Sequence, residues 1–182
     1  MRYLEKGVCA MVMLATFSTY AADAPAPVPP LIAGALPYVP ITGAVAAPDK
    51  SRAYKVIFDV TRAAEQPGRP VDGVLFAATD LSALRGQGVP ERNTRFALIF
   101  HGPAVDGLLD HAAYRAKFGT DNPNLEMLAA LKRAGVELMA CGQYLGAMKI
   151  DPSTLSHDVS IAAEAYLTLI TYQNNGYALL EF

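Results

Sequence analysis

The sequence predicts a single small α/β domain, built on a doubly wound and mainly parallel sheet with helices on both faces. Two observations lead to this fold class. Short segments of strand length are apolar at consecutive positions, which is typical of strands buried on both sides of a parallel sheet. The segments between them carry apolar residues at spacings of three and four, which is the pattern of an amphipathic helix.

Four segments are predicted to be strands: Lys55–Val60, Arg95–Phe100, Val136–Ala140 and Tyr177–Leu180. Equivalent points of the first three lie about 35–40 residues apart, which suits right-handed strand–helix–strand crossovers. With the helices between them, the predicted order of elements is β-α-β-α-α-β-α-β.

The predicted helices have recognisable ends. Apolar residues from Val71 to Leu84 form one helical face, and Gly86 is expected to end that helix. The run Asp121-Asn122-Pro123 is predicted to cap a helix that carries Leu125, Leu128 and Leu131 on one face.

The last predicted helix is unusual in its composition. Asp158 is expected to cap it, and it extends over Val159–Asn174. Because it is apolar on almost every side, we expect either a central position or a subunit interface to cover its outer face.

The N-terminal residues 1–21 have the pattern of a secretory signal peptide. Arg2 and Lys6 precede the apolar run Gly7–Phe17, and Thr19-Tyr20-Ala21 offers small residues for cleavage after Ala21. The run is too short to span a bilayer, so no stable membrane insertion is expected after cleavage. The pattern predicts a periplasmic protein, and the alternatives for this segment are a buried N-terminal helix or a retained membrane anchor.

Residues 22–50 are rich in alanine and proline, and they are predicted to form a mostly extended or disordered leader. Leu36, Tyr38 and Ile41 are its candidates for packing against the domain. The α/β domain itself is assigned to residues 51–182.

Composition excludes several classes of function. The chain has 182 residues and a net charge of −2, so it lacks the basic excess that nucleic-acid binding requires. It has only two cysteines, which excludes a disulfide scaffold and a cysteine-rich zinc module. Cleavage of the signal would remove Cys9 and leave Cys141 as the only thiol. No cofactor motif or metal-ligand spacing is present.

Candidate functional residues follow the first three strands. Because ligands of open α/β sheets bind at the carboxyl ends of the strands, we expect these residues to share one edge. They are Asp59 and Thr61 at the end of the first strand, His101 after the second, and Cys141, Gly142 and Gln143 after the third.

Cys141 is the candidate nucleophile of this group, because a thiolate can attack sulfur or carbonyl groups and can carry a persulfide. His101 is the residue expected to activate or orient it. Asn122 is a further candidate for the pocket. The alternative is that Cys141 is a small buried apolar residue and that His101 is bonded only to the main chain.

Longer stretches resemble the DsrE/DsrF-like family, and most closely its exported branch. They are YKVIFDVTRAAEQP, FALIFHGPAVDGLL, the segment from YRAKFGTDNPN to VELMACGQYL, and the closing NNGYALLEF, which together cover roughly residues 54–182. The resemblance implies an α/β fold and homo-oligomers, typically trimers or hexamers. It also implies sulfur relay through a persulfide, with Cys141 as the matching thiol, His101 beside it, and a protein as sulfur donor or acceptor. Where some relatives have a second cysteine after the CG pair, this chain has Tyr144.

Three hypotheses about function remain at this point. The first is a periplasmic sulfur-handling protein that carries or relays persulfide sulfur on Cys141. The second is a non-catalytic, oligomeric module that binds a small molecule or a partner. The third is a cysteine hydrolase in which His101 activates Cys141, with Asp59 or Asn122 as the orienting residue.

Overall fold

The computed structural model describes residues 25–182, so the predicted signal peptide and Cys9 lie outside the described residues. The strands are β1 (Tyr54–Val60), β2 (Thr94–Phe100), β3 (Glu137–Cys141), β4 (Ser160–Ala162) and β5 (Ala178–Glu181). The α-helices are α1 (Asp72–Gly86), α2 (His111–Phe118), α3 (Leu125–Arg133), α4 (Gly142–Met148) and α5 (Ala165–Asn174). Within residues 25–182, no helix is long and apolar enough to cross a bilayer.

The five strands form one sheet in the order β4-β3-β2-β1-β5, and all four pairings are parallel. The predicted fold class is therefore confirmed. Helices α1 and α3 pack on one side of the sheet, which we call the first face. Helix α5 packs against β1 and β2 on the other side, which we call the second face.

Alternation along the strands divides the core between the two faces. Phe58, Leu98 and Leu138 point to the first face and are almost completely buried there. Ile57, Ala97 and Ile99 point to the second face, where Cys141 joins them in a smaller cluster. Both sides of the central strands are buried, which explains their continuous apolar sequence.

The prediction for the last helix was wrong at its start. The first residues of the predicted segment form β4, an edge strand of three residues beside β3. Helix α5 begins only at Ala165, and its cap is Glu164, whose carboxylate accepts a hydrogen bond of 2.7 Å from the Leu167 amide. Asp158 therefore does not cap this helix. Three residues are too few to show a strand period, and only pairing with β3 gives them that conformation.

The predicted cap of α3 is also displaced. Helix α3 begins at Leu125, and the residue before it is Asn124, so Asp121–Pro123 lie in the preceding loop. The predicted face is present, because Leu128 and Leu131 are fully buried against the sheet.

The leader folds back on itself and packs on the first face. Val28 and Tyr38 form an antiparallel bridge, and the loop between them inserts Ile32 into the core, where it is 2% exposed. The predicted contacts Leu36 and Ile41 are instead 48% and 67% exposed. The loop is attached to α1 through main-chain amides, because Ile32 and Leu36 donate to the hydroxyls of Ser82 and Thr79, so the side chain of Leu36 stays outside.

Candidate functional site

Three of the candidate residues meet at the carboxyl edge of the sheet, as the sequence predicts for adjacent parallel strands. Val60 pairs with Phe100, and Phe100 pairs with Ala140, so His101 and Cys141 stand side by side one residue further along. Asp59 lies one residue before the end of β1. Strand alternation turns Asp59, His101 and Cys141 to the same side, which is the second face.

Asp59 and His101 form the closest polar contact of this group. His101 Nε2 lies 2.7 Å from Asp59 Oδ1, and the two side chains are 14% and 12% exposed. An ionised carboxylate can only accept, so His101 donates through Nε2–H. That hydrogen bond leaves Nδ1 as the nitrogen available to a second partner.

Cys141 is the free cysteine of residues 25–182, and it is 4% exposed. It lies in an apolar cluster with Ala165 and Leu169 of α5 and with Ile99 of β2. No hydrogen bond connects its sulfur with His101 in the described part of the chain, where the His101 ring is bonded to Asp59. The cysteine-hydrolase hypothesis therefore lacks the contact between nucleophile and base that it requires.

Tyr166 of α5 is a functional candidate that sequence reasoning missed. Its ring lies 5.3 Å from the ring of His101, centroid to centroid, in an edge-on arrangement with an interplanar angle of 70°. In the sequence it is one of several apolar residues in the last helix, and nothing local distinguishes it. The signal would have been the correct start of α5, which places Tyr166 in the first turn at the carboxyl edge.

The two residues after Cys141 have different situations. A Cβ atom on Gly142 would lie 2.9 Å from the Ala162 carbonyl oxygen, so the close approach of β4 requires glycine here. Gln143 is exposed, and its side chain makes no hydrogen bond within the described residues. Gly142 thus has a packing role, whereas Gln143 remains a candidate for contact with substrate.

Thr61 makes structural hydrogen bonds, and its role as a substrate contact stays a prediction. Its amide donates to the Phe182 carbonyl at 2.8 Å, and its hydroxyl reaches the same oxygen at 3.2 Å. Thr61 therefore ties the last residue of the chain to the end of β1.

Asn122 is likewise occupied by structural bonds, so its prediction as a substrate contact is not supported. It is 3% exposed, and its Nδ2 donates to the carbonyl oxygens of Gly107 and Leu109 at 3.0 and 2.6 Å. Its Oδ1 accepts from the main-chain and side-chain nitrogens of Asn124. An amide bonded at both ends inside the protein has little capacity left for a ligand.

The amino edge of the second face carries a different polar group. Tyr172 of α5 donates to Glu137 at 2.8 Å, and its ring packs edge-on against Tyr177. Burial and the nearby Glu137 carboxylate raise the pKa of both tyrosines. Both phenols keep their protons at neutral pH, and the hydrogen bond from Tyr172 to Glu137 ties α5 to the start of β3. Residues 25–182 contain no cluster of three side chains suited to holding a metal ion.

Comparisons with known proteins extend this description. The model of the DsrE/DsrF-like family matches residues 47–182, which is more than half of the chain. No curated protein matches the chain.

Two solved structures are similar to this chain. A protein of unknown function from Methanobacterium thermoautotrophicum has a TM-score of 0.53 at 19% identity, and the ychN protein from E. coli has 0.48 at 21%. Each match covers 71% of this chain and 99% of the other. At these identities, the first likeness supports the α/β fold alone.

Proposed function

The chain belongs to the DsrE/DsrF-like family, and we propose that it handles sulfur in the periplasm by carrying a persulfide on Cys141. The observation that carries the proposal is the position of this thiol. Cys141 lies on the same face and at the same edge as the Asp59–His101 pair. The resemblance noted in the sequence implies a persulfide on the matching cysteine.

In the proposed reaction the pair and the thiol have separate tasks. Adjacent strands are about 4.8 Å apart, so an imidazole next to Cys141 favours its thiolate form electrostatically once the ring is protonated. His101 stands beside the thiol without a direct hydrogen bond to it, so its part is electrostatic, and Asp59 balances the charge of the imidazolium. The thiolate then attacks a sulfane sulfur, and exchange with a second thiol releases it.

Compartment and assembly are parts of the same proposal. The basic N-terminus, short apolar run and small residues before position 22 support export to the periplasm. The outer side of α5 exposes Tyr166, Leu167 and Ile170, which supports a homo-oligomer that covers this helix. We expect a trimer or a hexamer.

The proposal is tested by the intact mass of the purified protein before and after incubation with sodium polysulfide. We expect a gain of about 32 Da per sulfur atom that a reductant reverses. Peptide mapping would locate the sulfur on Cys141, separate from Cys9, and Cys141→Ser would remove the gain. An unchanged gain in Cys141→Ser would contradict the proposal.

Asp59→Asn tests whether the pair assists the thiol. We expect loading to slow by on the order of tenfold and its pH dependence to change, since Asp59 acts through His101. Asp59→Glu, which keeps the carboxylate, should recover part of the rate. An Asp59→Asn protein that loads at the original rate and pH would remove the pair from the mechanism.

The burial of Cys141 favours one second candidate, a non-catalytic oligomeric module that binds a small molecule or a partner. A thiol that is 4% exposed in an apolar cluster packs like any small apolar side chain. If Cys141 neither gains sulfur nor reacts with iodoacetamide in the folded protein, this second function replaces the first.

A further inference from the structure

The leader forms one wall of a groove on the first face, on the opposite side of the sheet from Cys141. Two cavities of about 330 and 480 Å³ make up this groove, and they adjoin because both are lined by Leu31, Ile32, Ala130 and Arg133. We call it the leader groove. Pockets that bind small molecules have volumes of about 300–1,000 Å³, so the groove is large enough for one.

The wall opposite the leader is one stripe of α3. Glu126, Ala130 and Arg133 are spaced by four and three residues, so they lie on the same side of the helix. The neighbouring side of α3 packs on the sheet through Leu128 and Leu131. Because alanine has a short side chain, the middle of the stripe leaves space between α3 and the leader.

Arg85 of α1 brings a largely enclosed guanidinium to one end of the groove. Its side chain is 17% exposed, its Nε donates to the Thr94 hydroxyl at 3.1 Å, and its Nη1 lies 3.4 Å from a carboxylate oxygen of Glu91. A guanidinium has five N–H donors, so at least three of them have no partner among residues 25–182. These donors can bind an acceptor that enters the groove.

The charges along the groove favour a single negative group at the Arg85 end. Arg85 and Arg133 both line this end, and the carboxylate of Glu91, which is 75% exposed, offsets only one of their two charges. The other end is lined by Glu126, whose carboxylate would repel a second negative group. The groove therefore suits a monoanion with an apolar body.

We propose that the leader groove binds a small aliphatic monocarboxylate. Arg85 and Arg133 hold its carboxylate, because the planar guanidinium fork matches the two carboxylate oxygens. Its alkyl chain lies between Leu31 of the leader and Ala130 of α3, where contact removes apolar surface from water. This site does not depend on the function proposed for Cys141.

The experiment titrates the purified full chain with three six-carbon probes that differ in charge, and isothermal titration calorimetry measures their binding. Sodium hexanoate is the monoanion, hexanamide is its neutral analogue, and disodium adipate is a dianion of the same length. We expect a Kd of about 1 mM or below for hexanoate. Hexanamide, which lacks the charge, and adipate, whose second carboxylate approaches Glu126, should bind at least about tenfold more weakly.

Two pairs of variants locate the binding site, and each pair compares a residue of the groove with an exposed residue outside it. Arg133→Gln should weaken hexanoate binding about tenfold, whereas Lys132→Gln, the same change of charge on the next residue of α3, should leave it within about twofold. Leu31→Ala should weaken binding about threefold, and Leu36→Ala, also on the leader, should not. All four side chains are exposed, so folding should be preserved.

Three results would overturn the inference. Absence of hexanoate binding up to about 20 mM would reject the site itself. Equal affinities for hexanoate and hexanamide would remove the role of the arginines. Equal losses in Arg133→Gln and Lys132→Gln would show that hexanoate binds outside the leader groove. None of these results bears on the persulfide function, which depends on the other face of the sheet.

Discussion

The two faces of the sheet are built from the same strands but are covered very differently. On the first face, α1 and α3 enclose a large cluster of buried side chains, and the leader adds Ile32 from outside. On the second face, a single helix, α5, covers a small cluster that includes Cys141. The outer side of α5 is apolar and exposed, with Leu167 at 62%.

The two faces are expected to contribute differently to folding stability and to the candidate site. Most of the apolar surface buried within the chain lies on the first face, so we expect that face to supply most of the folding free energy. On the second face, Asp59, His101 and Cys141 are mostly buried but lie near the surface, because only one helix covers them. Regions with fewer buried contacts open more readily, which suits the proposed persulfide site because such a site would have to admit a sulfur donor.

The largest expected effect comes from opening a cavity on the first face. Leu81 of α1 is 1% exposed, and Leu81→Ala should lower the free energy of unfolding by about 2–5 kcal/mol, because it removes buried methyl groups and leaves a void. Denaturant unfolding measures this change. Leu167→Ala on α5 is the matched control, with an expected change within about 0.5 kcal/mol for the monomer. Similar losses in the two variants would remove the contrast between the faces.

A smaller loss of stability is expected from removing the buried side-chain amide of Asn122, in the loop before α3. Asn122→Ala should cost about 1–3 kcal/mol, because it leaves the carbonyl oxygens of Gly107 and Leu109 without a donor. The exposed Asn174→Ala should be close to neutral. The rate of sulfur loading, measured on the same variant, separates a structural role from a role in the site. An Asn122→Ala protein with unchanged stability and slow loading would favour Asn122 as a residue of the site.

The smallest expected effect depends on pH. Burial raises the pKa of Asp80 on α1 above its ordinary value of 3.8. The folded state therefore holds this proton more tightly than the unfolded state, and the charged carboxylate weakens folding once the pH exceeds the folded pKa.

Asp80→Asn removes that cost. It should raise the free energy of unfolding at pH 7 by roughly 0.5 kcal/mol or less, and the gain should vanish below pH 3.8. Denaturant midpoints at several pH values measure it. A gain that persists unchanged in acid would show that the desolvation of this carboxylate is not the cause.

The strands were predictable from local sequence, and the edge of the sheet at which the candidate residues meet was predictable from the parallel order of those strands. Continuous apolar runs identify β1, β2, β3 and β5, and parallel neighbours place Asp59, His101 and Cys141 at one edge. The hydrogen bonds of Thr61 and Asn122 could not be predicted, because proximity to a strand end does not show which bonds a side chain already makes. Phe182 and Gly107, their partners, are distant in the sequence.

The sequence by itself determined the fold class and the central strands, and it named Cys141 as the candidate thiol, because hydrophobic periodicity and residue type are properties of each local segment. Only the tertiary structure decided that β4 is a strand, that Ile32 anchors the leader, that Asp59 bonds His101, and that α5 covers Cys141. These features arise from contacts between segments far apart in the chain. No single segment contains the partner that fixes its conformation.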